Sequence, residues 1–231
     1  LLGVHLWDAK EQAFRFQPGP VFCHVLLLDE LNRIGPKTQS AMLEAMVEGQ
    51  VTLDRSTHKL PEPFFVIATQ NPLDHAGTFP LPESQLDRFS CTIHLGYPDR
   101  AAERRILTGE AGAERLETLS PVLDLEGWRM ARAAVREVKV SEAVLDYAER
   151  MVERIRAGGG FCSTRAAKHW LGLAQAEAWL EGRDFITPDD LQRTLSDTMA
   201  HRGSLDDRRL NRSDRREQLG RLLKDLPVGW S

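Results

Sequence analysis

The segment from Val21 to Leu28 is nearly unbroken in apolar side chains and ends in two adjacent acids, Asp29 and Glu30. Such a run is typical of a strand that is buried on both faces of a parallel sheet. A second apolar run, from Phe64 to Thr69, also ends in polar residues. Because ligands of open α/β sheets bind beyond the carboxyl ends of the strands, the sequence predicts an α/β fold with a site at these two strand ends.

A helix and a hairpin are predicted between the two strands. The segment from Pro36 to Glu48 has a helical period, with Pro near its start and Gly directly after its end. From Val51 to Leu60, two short stretches flank a turn-prone tetrapeptide, which indicates a projecting hairpin. An earlier hairpin, or its last strand, is predicted around Phe14 to Pro20, and a third short strand is predicted from Cys91 to Leu95.

Beyond residue 100 no strand pattern remains, and the chain is predicted to be helical. The change falls near Gly96 to Pro98, so we expect an α/β domain over residues 1–98 and an all-α domain over residues 99–231. The predicted helices are Ala101–Leu107, Trp128–Val135, Glu142–Ile155, Thr164–Leu180, Leu191–Met199 and a solvated terminal helix within Leu205–Leu226.

The cysteine positions indicate the cellular compartment, and the net charge and the apolar runs indicate which partners are not expected. Cys23, Cys91 and Cys162 are scattered singly, without metal-ligand or disulfide spacing, which favours a reducing cytoplasm. The net charge of −4 gives no general attraction to nucleic acid, so nucleic-acid binding is not expected. No apolar run approaches the roughly 20 residues that span a bilayer, so no membrane span is predicted. The first residue is not Met, so we expect the chain to begin inside a longer protein.

The acids and the amide that follow the predicted strands suit phosphate chemistry. Of two adjacent carboxylates, one can hold Mg²⁺ through its water shell while the other acts as a base on a nucleophilic water. Asn71 follows the second strand and can orient that water without adding charge. The alternative is that Asp29 and Glu30 form an ordinary polar strand end and that Asn71 with Pro72 forms a turn.

Two arginines are candidates for binding phosphate. Arg88 stands between apolar residues, where its guanidinium can meet a phosphate or pair with Asp87 or Glu83. Arg165 stands in the first turn of a predicted helix, against the helix dipole, which indicates a specific role unless the side chain is simply solvated. The residues alone leave both alternatives open for each arginine.

Taken in order, the strand with two acids, the strand with Asn, the Leu-Asp-Arg-Phe motif and the late helical Arg resemble the MoxR family of AAA+ ATPases. The resemblance spans Gly3 to about Arg202. It is carried by several long motifs, which are Phe16–Pro20, Asp29–Arg33, Pro36–Ser40, Leu43–Met46, Ala68–Pro72 and Phe79–Phe89.

The resemblance implies a role for each candidate residue. Asp29 and Glu30 correspond to the Walker B pair, in which Asp29 holds Mg²⁺ and Glu30 polarises water, and Asn71 corresponds to sensor 1. Arg88 corresponds to the arginine finger, which acts on the nucleotide of the neighbouring subunit. Arg165 corresponds to sensor 2, which reaches the γ-phosphate from the helical lid. The implied fold is a partial AAA+ P-loop NTPase core with a parallel sheet, followed by an all-α helical lid.

The resemblance also implies cofactors and partners. Leu1 to Gln17 corresponds to the end of the insertion in the second helix of the family, and Gln50 to Leu60 to the hairpin before sensor 1. The implied cofactors are ATP and Mg²⁺. The implied assembly is a homo-oligomeric ring, expected to be a hexamer. The implied activity is ATP hydrolysis that remodels or activates a protein client, for which a protein with a von Willebrand factor A domain is a candidate.

Two departures from the family pattern bear on activity. No G-x-x-x-x-G-K-[ST] loop is present, although the family binds phosphates through the N–H groups and Lys of that loop. We therefore expect a truncated chain that is inactive by itself. The segment from Phe161 to Arg165 also lacks the Pro that family members carry before the Arg, which weakens the sensor 2 correspondence.

The alternative function is a non-catalytic or truncated assembly module that docks into a ring without ATP turnover. The missing loop favours this alternative, whereas the acids, the Asn and the Arg favour catalysis, because a site without turnover has no physical need to keep them together. Within the AAA+ class, the ATPase subunit of magnesium chelatase and the replicative helicases share the insertions. The mixed charge from Asp54 to Lys59 does not suit the basic, DNA-facing hairpin of a helicase.

Overall fold

A computed structural model describes residues 1–53, 56–70, 77–110, 119–202 and 212–223. The chain forms two compact units, Leu1–Ser90 and Cys91–Ser231. The described strands lie in the first unit, and the regular elements described in the second unit are helices. The predicted fold class, an α/β part followed by an all-α part, is therefore confirmed.

The first unit is built from a parallel strand pair and two hairpins. The pairing is antiparallel between β1 and β2 and between β4 and β5, and it is parallel between β3 and β6. The predicted hairpins and the predicted parallel strands are thus present. In chain order the elements are β1 (Gly3–Asp8), β2 (Ala13–Pro18), β3 (Val25–Leu28), a 3₁₀ turn (Leu31–Arg33), α1 (Pro36–Glu48), β4 (Gln50–Leu53), β5 (Ser56–Lys59), β6 (Phe65–Ala68) and α2 (Glu83–Leu86).

Helix α1 connects the acidic strand end to the second hairpin. It begins at Pro36, a position that tolerates Pro because the first helical N–H groups have no partner within the helix. It ends at Glu48 and is followed by Gly49, whose φ of 63° is a left-handed conformation that Gly adopts at low cost. Its buried side chains, which include Met42 and Leu43, pack in the same core as β3. The helix thereby fixes the sheet end that carries the candidate site.

The β3–β6 pair is buried on one face only, so the prediction that these strands are buried on both faces is wrong. Leu26 and Leu28 lie in the core of the first unit. Successive side chains of a strand point to opposite faces, and the described residues of this unit cover just one of them. The exposed side chains, between 45% and 62% accessible, are Val25, Leu27, Phe65 and Ile67.

Aromatic side chains join the two hairpins of the first unit. The ring of Phe16 on β2 stacks on the ring of His58 on β5, with ring centres 3.8 Å apart and ring planes 17° apart. Phe22 meets both rings edge-on, at centre-to-centre distances of 5.5 Å from Phe16 and 6.3 Å from His58. Because aromatic contacts stabilise beyond the area they bury, this cluster fastens one hairpin to the other.

The second unit has a helix at each predicted position. Helix α6 has the predicted bounds, and the terminal helix lies within the range expected for it. No helix among the described residues is long and apolar enough to cross a membrane. The helices are α3 (Arg100–Leu107), α4 (Leu125–Arg136), α5 (Glu142–Ala157), α6 (Thr164–Leu180), α7 (Pro188–Met199) and α8 (Arg212–Leu223).

The segment from Cys91 to Leu95 is not a strand, so the prediction of a third strand is wrong. The N–H of Thr92 donates to the Asp197 carbonyl at 2.8 Å, which is a contact with a helix. Ile93 is 72% exposed and Leu95 is 89% exposed. A short apolar pattern becomes a strand only beside a partner strand, and the described residues offer none to this segment.

A buried carboxylate holds the start of α7. Asp190 is fully buried and accepts hydrogen bonds from the N–H and the hydroxyl of Thr187, at 2.8 and 2.9 Å. Arg183 donates to it twice at 2.7 Å, and Arg193 donates at 2.6 Å. Burial alone would raise the pKa of Asp190, but the hydrogen bonds from Arg183, Thr187 and Arg193 outweigh burial and hold this pKa well below its ordinary value of 3.8.

Replacing Asp190 with Asn is expected to lower the free energy of unfolding by about 3 kcal/mol at pH 7, because two arginines and a helix start lose their charged partner. The matched control is Asp189→Asn, which changes an exposed acid in the same turn and should cost less than about 0.5 kcal/mol. Urea unfolding of both variants measures the difference. Equal losses in the two variants would contradict a structural role for Asp190.

The same network predicts a pH dependence. Because the pKa of Asp190 is lower in the folded protein than in the unfolded chain, its stabilisation is complete above the unfolded-state pKa of about 4 and is lost as the pH falls toward the folded-state pKa. The stability gap between the parent and Asp190→Asn should therefore be smaller at pH 3 than at pH 7. A gap that stays constant over this range would contradict the lowered pKa.

Candidate functional site

The register of β3 and β6 places the residues after the two strands side by side. Leu28 pairs with Ala68 at the last position of the ladder, so Asp29 and Thr69 follow at neighbouring strand ends. The N–H of Thr69 donates to the Leu28 carbonyl at 3.0 Å, and the N–H of Leu31 donates to the Thr69 carbonyl at 2.9 Å. Backbone hydrogen bonding thus extends past the strands and fixes the segment that carries the two acids.

The hydroxyl of Thr69 contacts the two acidic residues. It donates to Oδ1 of Asp29 at 2.5 Å and accepts from the backbone N–H of Glu30 at 2.8 Å. Glu30 has φ 49° and ψ 51°, which is the left-handed region. That backbone conformation costs about 1 to 3 kcal/mol for a residue other than Gly and persists only where the surroundings hold it. The hydrogen bond from the Glu30 N–H to the Thr69 hydroxyl helps to stabilise this conformation.

The carboxylates of both acids are accessible to water. Oε2 of Glu30 lies 3.3 Å from Nε of Arg33, and both side chains are 44% exposed. An exposed ion pair of this kind contributes at most about 1 kcal/mol, so it does not withdraw the Glu30 carboxylate from chemistry. Asp29 is also exposed. Either acid can therefore meet a ligand or a water molecule.

Gln39 of α1 supports the segment after the acids, and sequence reasoning missed it. Its side chain is 2% exposed, and Nε2 donates to the Leu31 carbonyl at 3.0 Å and to the Phe79 carbonyl at 3.4 Å. The N–H of Phe79 in turn donates to the Asn32 carbonyl at 2.6 Å. One buried amide thus ties the acidic segment to the stretch before α2. A polar residue at a helical position that faces the core was the signal that could have identified it.

Arg88 lies in the first unit, two residues after the end of α2. Its N–H donates to the Gln85 carbonyl at 3.1 Å, and its side chain is half-buried. Among the described residues its guanidinium has no hydrogen bond or ion pair, so the alternative pairing with Asp87 or Glu83 is not observed. The described residues therefore give no side-chain partner for Arg88.

The remaining two candidate residues, Asn71 and Arg165, take no part in the described contacts around Asp29 and Glu30. Asn71 lies outside the described residues. Arg165 lies in the second unit, exposed in the first turn of α6. That helix is capped by Ser163, whose hydroxyl accepts from the Ala166 N–H at 3.0 Å, so the helix start is defined without the Pro of the family pattern. The roles of Asp29, Glu30, Asn71, Arg88 and Arg165 stay predictions.

The donor set at the strand ends fits Mg²⁺. Over the described residues no group of three or more His, Cys, Asp or Glu side chains could hold a metal ion. Mg²⁺ does not need such a cage, because it is usually bound through one or two carboxylates while waters and substrate phosphates complete its shell. Asp29, with Glu30 beside it, offers the hard oxygen ligands that this mode requires.

Two family models match the chain. The model described as the ATPase family associated with various cellular activities (AAA) matches residues 1–91, and the AAA lid domain model matches residues 150–221. The first match includes the two acids, Asn71 and Arg88, and the second includes Arg165.

Similar proteins span most of this chain. The protein YeaC of Bacillus subtilis is 40% identical over 87% of this chain and 63% of its own length. Chaperone MoxR1 of Mycobacterium tuberculosis is 34% identical over 87% of this chain and 56% of its own length. The chain thus spans about three fifths of these relatives. A crystal structure of a proposed ATPase from Cytophaga hutchinsonii is 31% identical and superimposes with a TM-score of 0.80, covering 96% of this chain and 72% of that one.

Proposed function

Because the chain belongs to the MoxR family of AAA+ ATPases, we propose that it carries the metal-holding and water-activating part of an ATP hydrolysis site. The observation that carries this proposal is the hydrogen-bonded arrangement of Asp29, Glu30 and Thr69 at the ends of two parallel strands. Two water-accessible carboxylates at the carboxyl edge of such a sheet suit Mg²⁺-dependent phosphoryl transfer.

Each residue has a defined task in the proposed mechanism. Asp29 holds Mg²⁺, and Glu30 accepts the proton of the attacking water. Asn71 aligns that water, and Arg165 contacts the γ-phosphate. Arg88 enters from the neighbouring subunit and stabilises the charge that develops on the phosphate. Mg²⁺ held by Asp29 would supply charge neutralisation at the phosphate oxygens, so the protein contributes mainly position and electrostatics.

A ring and a protein client complete the proposal. An arginine that serves a neighbouring subunit requires a head-to-tail interface, and such interfaces form a ring when the rotation between subunits closes; the ring is here proposed to be hexameric. The name of the relative Chaperone MoxR1 supports remodelling of a protein client, and a protein with a von Willebrand factor A domain is our candidate.

The free cysteines Cys23, Cys91 and Cys162 support a reducing compartment, proposed to be the cytoplasm.

A second candidate function is an assembly module without ATP turnover. It is favoured by one sequence observation, the lack of a G-x-x-x-x-G-K-[ST] loop in these 231 residues. It is disfavoured by the maintained contacts around Asp29 and Glu30, since an idle site has no need to hold Glu30 in a costly backbone conformation.

A measurement of phosphate release from ATP distinguishes the ATPase from the assembly module. We expect residues 1–231 purified alone to release no phosphate from ATP, because they lack the loop that cradles the phosphates. The full-length gene product should hydrolyse ATP when Mg²⁺ is present and stop when EDTA removes it, with a specific activity that rises with protein concentration as rings form. Turnover by residues 1–231 alone would contradict the first expectation. A full-length gene product that binds ATP without hydrolysing it would favour the assembly module.

A further inference from the structure

We propose that Thr69 is the positioning residue of this site, an inference that rests on the proposed ATPase function. A single hydroxyl links the side chain of Asp29 to the backbone of Glu30, although the two acids belong to one strand end and Thr69 belongs to the other. Thr69 therefore sets where Asp29 presents its oxygens to a metal and where Glu30 presents its carboxylate to water.

The direction of each hydrogen bond follows from the chemistry of the groups. The backbone N–H of Glu30 can only donate, so the Thr69 oxygen must accept from it at 2.8 Å. The one hydroxyl proton then remains for Oδ1 of Asp29, which lies at 2.5 Å. The Asp29 oxygen must act as the acceptor, and a charged acceptor makes this the stronger bond of the two. The hydroxyl is thus fully oriented by its two partners.

Backbone hydrogen bonds also hold Thr69 in its position. Its N–H and its carbonyl bond to Leu28 and Leu31, on either side of the acids, at 3.0 and 2.9 Å. Thr69 consequently cannot move along the strand without breaking the register of β3 and β6. A hydroxyl anchored in this way is a rigid reference point for both acids, which is the role that groups behind a metal ligand play in metal sites.

A purely structural role fits the observations less well. Thr69 is exposed, so its hydroxyl satisfies no buried core group and its loss leaves none unpaired. Removal of the hydroxyl should therefore leave folding almost unchanged while it loosens the acids. This difference between stability and site geometry makes the inference testable.

The test compares Thr69→Val, which keeps the shape and loses the hydroxyl, with Thr69→Ser, which keeps the hydroxyl. The matched control is Thr52→Val on β4, where an exposed threonine hydroxyl bonds, among the described residues, only to another threonine, Thr57, at 3.2 Å. Hydrogen exchange of the Glu30 amide is measured by NMR in residues 1–231. Steady-state kinetics of the full-length gene product give kcat, the KM for ATP and the Mg²⁺ concentration at half-maximal rate.

In Thr69→Val we expect the Glu30 amide to exchange about tenfold faster. We also expect kcat to fall about 10- to 100-fold and the half-maximal Mg²⁺ concentration to rise, with little change in the KM for ATP or in the melting temperature. Thr69→Ser should stay within about threefold of the parent in kcat, and Thr52→Val should match the parent. These results together would establish Thr69 as a positioning residue.

The inference is overturned if Thr69→Val keeps the parent's amide exchange, or if it keeps the parent's kcat and Mg²⁺ dependence. It is also overturned if Thr69→Ser loses as much activity as Thr69→Val, because the hydroxyl would then not be the group responsible. A parent protein that hydrolyses no ATP refutes the proposed function instead. In that case the amide exchange alone decides whether the Thr69 hydroxyl holds the acidic segment.

Discussion

Replacing Glu30 with Gln is expected to reduce ATP turnover of the full-length gene product by about 10² to 10⁴-fold and to leave ATP binding unchanged. The amide keeps the shape of the side chain and loses the base that takes a proton from water. The backbone bond from Glu30 to Thr69 does not involve the carboxylate, so it should survive the change. Phosphate release under saturating ATP and a separate measurement of nucleotide affinity give the two results.

Two further variants test whether a loss of turnover at Glu30 comes from the missing base. Arg33→Gln removes the ion pair with Glu30 but leaves the carboxylate, and we expect turnover within a few-fold of the parent. Glu44→Gln changes an exposed acid on α1 of the same unit and should have no effect. If Arg33→Gln is as inactive as Glu30→Gln, the ion pair is what matters, and the assignment of Glu30 as the base is wrong.

Arg88→Ala is expected to lower turnover by about 10³ to 10⁵-fold, the range measured for arginine fingers, with ATP binding nearly normal. Because the guanidinium of Arg88 has no ion pair or hydrogen bond among the described residues, the change should cost little stability. Arg88→Lys should recover only part of the activity, since an ammonium lacks the planar fork that bonds two phosphate oxygens. Arg15→Ala, on the first hairpin, serves as the surface-arginine control.

Mixed rings test whether Arg88 acts across a subunit boundary. A ring that contains both Arg88→Ala and Glu30→Gln subunits has some interfaces with an intact acid on one side and an intact Arg on the other. Those interfaces should recover activity that neither variant shows alone. If mixing restores no turnover at any ratio, although mass measurements confirm mixed rings, Arg88 does not act in trans.

The fold class and the helices could be predicted because local patterns determine them. Helix α6 was predicted with its observed bounds, since its amphipathic period runs from the Ser163 cap to Leu180. The parallel pairing of the two apolar runs followed from the helix between them and from the polar residues at their ends. In both cases the information lies within a few turns or within one strand–helix–strand unit.

The two wrong predictions about strands concern long-range packing. An apolar run such as Val25 to Leu28 does not reveal how many layers cover it, and one face of this pair is exposed. The segment from Cys91 to Leu95 has the composition of a strand, but a strand also needs a partner with free backbone groups. Neither the covering layer nor the partner is encoded in the local sequence.

The sequence indicated which residue types form the candidate site, but it did not indicate which side chains contact one another there. Asp29 and Glu30 were proposed because acids after an apolar strand suit phosphate chemistry and because the motifs around them resemble the MoxR family. Thr69 was given no role, because a threonine at a strand end is common and its value depends on the register that brings it beside Asp29. Gln39 was missed for a similar reason, since its partners lie in segments that only the folded chain brings together.

The separation of Asp29 and Thr69 along the chain has an evolutionary consequence. The two hydrogen-bonded side chains are 40 positions apart, and α1 with the β4–β5 hairpin fills most of that stretch. Because the entropy of closing a loop grows slowly with its length, insertions between β4 and β5 leave the strand ends together. A single inserted residue within β3 or β6 turns the following side chains to the opposite face and separates the hydroxyl from the acids. Descendants of this chain can therefore vary the hairpin in length, whereas the lengths of these two four-residue strands are fixed by the chemistry at their ends.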